Sequence, residues 1–130
     1  MTSILWWIGA AIGVGIALGI IVIGAAYLAR SATNAAGFGL PTSLSPHDRG
    51  WWQVKGIRDV TSGVLVLAFL VAGTDRVPLL LGVLALIPLG DMLIVLGQHG
   101  SRSRALGIHG VTAAVLLGAC ILTAVGQAPW

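Results

Sequence analysis

Charged side chains are scarce in this sequence. Only 8% of the 130 residues are Asp, Glu, Lys or Arg, whereas 57% are hydrophobic, and the mean hydropathy is +0.99. A soluble domain carries roughly 25% charged residues, so this composition excludes an ordinary soluble domain and predicts an integral membrane protein. Because a bilayer-crossing helix needs roughly 20 residues, the chain is long enough for about four spans.

Cysteine is rarer still, since Cys120 is alone. A single thiol cannot form an internal disulfide, and it excludes the paired-cysteine chemistry of membrane thiol oxidoreductases. The formal net charge of +3 comes from basic residues dispersed among apolar runs, without a basic cluster or a nucleic-acid motif. The positive balance therefore indicates an orientation in the membrane, and no nucleic-acid partner is expected.

Long apolar runs predict an all-α fold, an integral membrane four-helix bundle that forms a single transmembrane domain over residues 1–130. The helices are expected at about 4–29, 51–73, 77–97 and 105–125. Pro88 predicts a kink in the third of them. Residues 30–50 are rich in Ser, Thr, Gly, Ala and Pro, which is a loop composition. A loop of this length is usually functional or disordered, which makes a lid its candidate role.

The basic residues predict which way the bundle faces. If the spans alternate, all but Arg76 lie on one side: Arg30, Arg49, Lys55, Arg58, Arg102 and Arg104. Cytoplasmic loops carry the excess of Lys and Arg. We therefore expect a multi-pass protein of the cell membrane with a cytoplasmic loop at 30–50 and both termini on the outer side.

Glycines in the first predicted helix form two overlapping small-xxx-small patterns, Gly9/Gly13 and Gly15/Gly19. Such spacing permits close helix contact, either within one chain or between copies. Intramolecular packing is the favoured interpretation, and a homo-oligomer through the face of Gly9, Gly13, Gly15 and Gly19 is the alternative.

Each of the last three predicted helices carries one polar stripe. Lys55, Arg58, Asp59 and Ser62 share an arc of about 100° on the second helix, and Phe69 continues it. On the third helix Asp91 and Gln98 lie about 20° apart, and the fourth helix has an arc of about 100° that is shared by His109, Thr112, Cys120 and Thr123. A lipid-facing ion at mid-helix costs at least about 2.5 to 3.5 kcal/mol, so the stripes must turn inward.

The two intramembrane carboxylates are expected at similar depth. Asp59 lies roughly 12 Å along its helix from Trp51, and Asp91 lies roughly 10 Å from Gln98. His109 is a little shallower. The sequence therefore predicts a polar cavity between Asp59, Asp91 and His109 that opens toward the cytoplasm.

The polar residues of this cavity predict a small membrane enzyme that acts on a lipophilic small molecule by acid–base chemistry, with isomerisation or cyclisation as the reaction. Asp59 is the expected acid and Asp91 its partner, Arg58 and Lys55 set the electrostatics, and His109 shuttles protons. The residues expected to line the substrate pocket are Trp51, Trp52, Ser62, Phe69, Gln98 and Thr112. The chemistry needs no metal and no cofactor.

Three alternatives stay open. Lys55 with Asp59, and Arg58 with Asp91, could form two ion pairs that only fix the helix register in a structural or accessory membrane subunit. The carboxylates could instead serve a proton-coupled transporter or channel subunit. A metal site from His99, His109 and Asp91 would need three elements to converge without a helical His pair, and it is disfavoured.

A short motif adds a family resemblance. The segment GFGLP contains Phe38, Gly39 and Pro41, and an aromatic pair then precedes KGIRD with Gly56, Arg58 and Asp59. This pattern resembles a family of small, uncharacterised four-helix membrane proteins of bacteria and fungi with a G-x-R-D helix start. The resemblance implies a four-helix bundle over the whole chain and transfers no mechanism.

Overall fold

The computed structural model describes residues 2–41 and 45–126, and it confirms the all-α class. Its helices are α1 (Thr2–Ala29), α2 (Ser31–Phe38), α3 (Arg49–Val71), α4 (Val77–Leu84), α5 (Leu86–Gly97), α6 (Arg102–Arg104) and α7 (Val111–Val125). A 3₁₀ turn over Pro46–Asp48 precedes α3, and a π-helical segment over Ala105–Gly110 joins α6 to α7.

Three stretches are long and apolar enough to cross a bilayer: Ser3–Ala29, Val77–Gly97 and Arg102–Val125. Their length and composition indicate a membrane protein. Helix α3 is different, because every 18-residue stretch of it contains Lys55, Arg58 and Asp59.

The third predicted helix is interrupted at Ala85, between α4 and α5. Pro88 has no amide hydrogen, so it cannot donate to the Leu84 carbonyl four residues earlier. The break falls beside the Leu84 carbonyl that Pro88 leaves without a helical donor, and the kink itself stays a prediction. Pro78 falls in the first turn of α4, where a missing N–H group leaves no helical bond unmade.

Glycines let α1 and α3 approach each other closely. A Cβ added at Gly24 would lie 2.5 Å from the Gly56 carbonyl oxygen, and one added at Gly63 would lie 2.5 Å from the Ala17 carbonyl oxygen. No real Cβ fits at such distances, so only glycine permits this backbone contact. In a bilayer the burial of apolar surface does not drive helix association, and close packing of this kind stabilises the pair instead.

The glycine stripe of α1 does not form a single face. A Cβ at Gly9 would lie 2.8 Å from Thr123 Cγ2 on α7, and one at Gly13 would lie 3.7 Å from Leu81 on α4, whereas Gly15 and Gly19 face open space. Gly9 and Gly13 therefore pack within the chain. A homo-oligomeric contact through α1 stays a prediction.

The prediction of a loop over residues 30–50 is wrong in its first part, where the chain forms α2. The Asn34 side chain stabilises this helix, because its amide nitrogen donates hydrogen bonds to the carbonyl oxygens of Ala26 at 2.9 Å and Arg30 at 2.8 Å. Those bonds fold the chain back directly after α1, where the Ser, Ala and Gly composition alone indicated a loop. Residues 42–44 of the predicted loop lie outside the described residues.

Helix α2 is held over one end of the bundle by its C-terminus. It ends at Gly39, whose φ of 108° is favourable only for glycine. The Gly39 carbonyl accepts a hydrogen bond from the Ser101 amide at 2.8 Å, and the Arg104 guanidinium donates to the Ala36 carbonyl. Phe38 consequently packs inward against Tyr27, in a cluster that also includes Val95 and Ala105.

Candidate functional site

A cavity of about 400 Å³ lies between α1, α3, α4, α5, the π-helical segment and α7, with α2 over one end. Its lining changes character along its length. Near α2 it is polar, with Tyr27, Lys55, Asp59, Asp91 and His109, and away from α2 it is apolar, with Ile16, Ala17, Val66, Leu84 and Leu116. The space therefore matches a molecule with one polar end and an apolar body.

Lys55 and Asp59 form an ion pair one helical turn apart on α3. Their side chains are only 12% and 7% exposed. The Lys55 ammonium also lies 4.8 Å from the centroid of the Tyr27 ring and 5.3 Å from that of Phe38, within the range of cation–π attraction. The lysine charge is thus offset by one carboxylate and two ring faces, and this part of the ion-pair hypothesis is confirmed.

His109 is buried with 8% of its surface exposed, and its two ring nitrogens have different partners. The Nε2 atom lies 3.0 Å from the Phe38 carbonyl oxygen. Because a carbonyl can only accept, Nε2 must carry the hydrogen. The Nδ1 atom then faces Asp91 Oδ2 at 3.9 Å.

That arrangement leaves the Nδ1 atom of His109 and the Asp91 carboxylate as two acceptors that face each other, so a proton or a donor group of another molecule can bridge them. A distance of 3.9 Å is too long for a direct hydrogen bond, so an oxygen of another molecule can enter between the two groups.

The π-helical segment sets the position of His109. This wider turn spans Ala105–Gly110 and places the ring 4.6 Å from the Phe38 ring, beneath α2. π-Helical turns are rare and occur frequently at functional sites.

The chain matches a protein-family model over most of its length. The family model described as "Domain of unknown function (DUF4267)" matches residues 17–123. The chain belongs to this family. Every polar side chain of the cavity falls within the DUF4267 match. Neither the curated proteins nor the solved structures include one that matches the chain.

The resemblance to an uncharacterised family is thereby confirmed at the level of DUF4267, while the four-helix and G-x-R-D details of that resemblance stay predictions. Within this DUF4267 chain, the cavity brings together six of the residues singled out from the sequence: Lys55, Asp59, Ser62, Asp91, His109 and Thr112.

Arg58 does not join them. It is exposed, and it forms no ion pair with any residue in 2–41 or 45–126, so the predicted pair with Asp91 is not formed. The contact of Gly56 and Gly63 with α1 fixes the rotation of α3. This rotation turns Asp59 inward and leaves Arg58, about 100° away around the helix, on the outside.

Four further predictions of pocket-lining residues are also corrected. Trp51 is 76% exposed, and Gln98 is exposed at the end of α5. Trp52 stacks on Tyr27 with ring centroids 5.7 Å apart and supports that ring from outside the cavity. Phe69 packs against the apolar core nearer the other end of α3. The same rotation of α3 accounts for Trp51, which is exposed on the outer side of the stripe with Arg58.

The structure adds site residues that sequence reasoning missed. Tyr27 lies near the end of an apolar helix, where aromatic side chains commonly face the membrane surface. In the structure it is only 5% exposed, and its hydroxyl donates a hydrogen bond to the Asn34 backbone carbonyl at 3.1 Å. Asn34 and Phe38 belong to a segment expected to be a loop. The one available signal was the GFGLP motif shared with the resembling family, which contains Phe38.

Proposed function

We propose that this DUF4267 protein is a small integral membrane enzyme in which Asp91 and His109 act as an acid–base pair on a lipophilic small molecule. The observation that carries the proposal is the Nδ1–Oδ2 gap of 3.9 Å at the polar end of an otherwise apolar cavity. A pair that shares one proton and faces an apolar space is suited to proton transfer.

Isomerisation or cyclisation fits this pair. In a double-bond isomerisation the pair donates its proton to one alkene carbon, and the alkene π electrons form the new C–H bond. The adjacent carbon becomes a cation, the next carbon beyond it loses a proton to the pair, and the electrons of that C–H bond form the shifted double bond with the cationic carbon. In a cyclisation a second alkene attacks the cation before the proton is lost. Atoms and electrons balance in both reactions without a co-reactant.

The proposed roles differ from those expected from the sequence. The acid is assigned to the Asp91–His109 pair, because Asp59 is engaged by Lys55. The Lys55–Asp59 pair holds the polar end of the cavity together beneath the rings of Tyr27 and Phe38. Arg58 has no role in the chemistry.

The proposal includes a four-span architecture in which α3 is the fourth span. Its support is the close packing of α3 along α1 and the pairing of Lys55 with Asp59, which reduces the cost of placing both charges in a bilayer. Arg30, Arg49, Arg102 and Arg104 lie at the end of the bundle covered by α2. By the positive-inside rule that end is cytoplasmic, both termini face outward, and the protein is a multi-pass protein of the cell membrane.

The two alternative functions receive less support. Ile16, Val66 and Leu84 line the half of the cavity away from α2, and an apolar lining does not favour a proton path through a transporter or channel. Arg58 and Asp91 are not paired, so the second of the two structural ion pairs expected from the sequence is not formed.

Hydrogen exchange into product tests the proposal. Purified protein in nanodiscs is incubated in D₂O with a lipid extract of the organism that encodes it, and products are analysed by mass spectrometry. Because the proton delivered to carbon comes from solvent through the pair, we expect products carrying carbon-bound deuterium with the wild type and none with Asp91→Asn or His109→Gln.

The matched control is Asp75→Asn, because this carboxylate is exposed in the turn between α3 and α4. It should leave deuterium incorporation unchanged. Equal incorporation by the wild type and by folded Asp91→Asn would refute the proposed acid–base role.

A further inference from the structure

We infer that the cavity takes an uncharged, oxygenated lipophile, namely a ketone, an enone or an alcohol, in preference to a lipid phosphate, a carboxylate or an amine. The inference rests on the proposed function for the reaction that follows binding. The binding preference itself is derived from the charges, the hydrogen bonds and the shape of the cavity.

The charges at the polar end of the cavity cancel. The Lys55 ammonium is in contact with the Asp59 carboxylate, and in the proposed acid–base pair Asp91 and His109 share one negative charge and one added proton. Among the described lining residues no second lysine and no arginine offers a free cation to a phosphate or a carboxylate. Each of the two carboxylates already faces a basic partner, so an amine gains no unpaired anion either. An ionic ligand would lose its hydration without an opposite charge to compensate it.

The hydrogen bonds select an oxygen atom as the polar end of the ligand. The Ser62 hydroxyl donates to the Arg58 carbonyl at 2.8 Å, and the Thr112 hydroxyl donates to the Ile108 carbonyl at 2.7 Å. Both hydroxyl protons are therefore used within their own helices.

The other polar side chains near α2 are similarly engaged. The Tyr27 hydroxyl and the Asn34 amide donate to backbone carbonyls. The donors left for a ligand are the proton of the Asp91–His109 pair and the N–H bonds of Lys55 that Asp59 does not take. A carbonyl oxygen accepts from both, and a hydroxyl can in addition donate to Ser62 or Thr112.

The shape of the cavity sets the apolar part of the ligand. Along α1 the lining extends from Tyr27 to Ile16, and along α3 the part of the lining beyond the Lys55–Asp59 pair extends from Asp59 to Val66. At 1.5 Å per residue these stretches correspond to roughly 16 Å and 10 Å. The ligand therefore has an apolar chain or ring system about 10 to 16 Å long, with its oxygen beneath α2 and its body toward the apolar end.

A series of probes with similar chains tests the preference. Wild-type protein in phosphatidylcholine nanodiscs is titrated with methyl decyl ketone, dodecanol, dodecanoate, dodecylamine and dodecyl phosphate, and bound probe is counted by native mass spectrometry. We expect the ketone and the alcohol to bind at least about tenfold more tightly than the three charged probes, a difference of about 1.4 kcal/mol. Equal or tighter binding of any charged probe, or no binding of the ketone and the alcohol, would overturn the inference.

A variant locates the binding. Ile20 lines the cavity and is half-buried, whereas Leu18 on the same helix is 52% exposed and does not line it. Ile20→Phe fills part of the space, so we expect ketone binding to fall about tenfold, while Leu18→Phe leaves it unchanged. Equal binding by both variants would place the probes outside the cavity and contradict the inference.

The two proposals fail separately. Selective ketone binding without deuterium incorporation into any product would refute the enzyme and leave the ligand class standing. Deuterium incorporation with equal binding of charged probes would refute the ligand class alone.

Discussion

Asp59→Asn is the substitution that best tests how the site is held together. It removes the charge that faces Lys55 while keeping the shape of the side chain. Both partners are nearly buried, with 12% and 7% of their side chains exposed. The variant therefore leaves the Lys55 ammonium group in a largely buried space without its carboxylate partner, beside the rings of Tyr27 and Phe38.

The expected loss of stability follows from three contributions. Removing one partner of a buried pair costs about 3 to 5 kcal/mol. The asparagine oxygen can still accept from the lysine, and a hydrogen bond to a charged group returns about 1.5 to 3 kcal/mol. The cation–π contacts are present in both proteins and cancel in the comparison. The central values of these ranges leave a net loss of about 2 kcal/mol, which shifts the unfolding equilibrium by about 30-fold.

The assay is reversible unfolding of the protein in mixed micelles as the fraction of SDS increases, followed by tryptophan fluorescence. The double variant Lys55→Met/Asp59→Leu is the matched control, because replacing a whole buried pair with apolar side chains is often neutral. We expect it to unfold within about 1 kcal/mol of the wild type. If Asp59→Asn were as stable as the wild type, the pair would not be a desolvated contact and this reasoning would be wrong.

Two further predictions concern helix packing and the outer side of α3. Gly56→Ala should destabilise the protein by about 1 to 3 kcal/mol in the same assay, because the new Cβ would lie 2.7 Å from the Gly24 carbonyl oxygen. The control is Gly50→Ala on the same helix, where the new Cβ would lie in open space and stability should not fall. Equal effects of the two substitutions would contradict the close contact between α1 and α3. Arg58→Gln should change stability by no more than about 0.5 kcal/mol and should keep deuterium incorporation, whereas loss of incorporation would return Arg58 to the site.

Much of the architecture could be predicted from the sequence because the bilayer limits the choices. Apolar runs of sufficient length must be helices, and ionised side chains within them must avoid lipid. That reasoning led to the all-α class and to Asp59, Asp91 and His109 around one cavity.

Rotation about a helix axis could not be predicted from the polar stripe alone. The stripe spans an arc of about 100°, and its centre need not coincide with the packed face. On α3 the packed face is set by Gly56 and Gly63 against α1. That contact separates Asp59, which is buried, from Arg58, which is exposed.

Tertiary hydrogen bonds explain the other errors. Asn34 forms its bonds with carbonyls at the end of α1, and Gly39 forms its bond with Ser101, far along the chain. A composition rich in Ser, Gly and Ala contains no sign of such partners. The burial of the Tyr27 ring could not be predicted for the same reason, since only α2 brings the Asn34 carbonyl within reach of its hydroxyl.

The wide turn over Ala105–Gly110 has a consequence for how this chain could change over time. A π turn contains one residue more than an α-helical path between the same ends, so deletion of the codon for Gly110, which lies between His109 and α7, would restore an ordinary helix. In such a chain α7 would keep its packing against α1, but the imidazole of His109 would point about 100° away from Asp91. One in-frame codon deletion would thus abolish the proposed acid–base chemistry, while the fold would stay stable and the cavity would remain without a reactive pair.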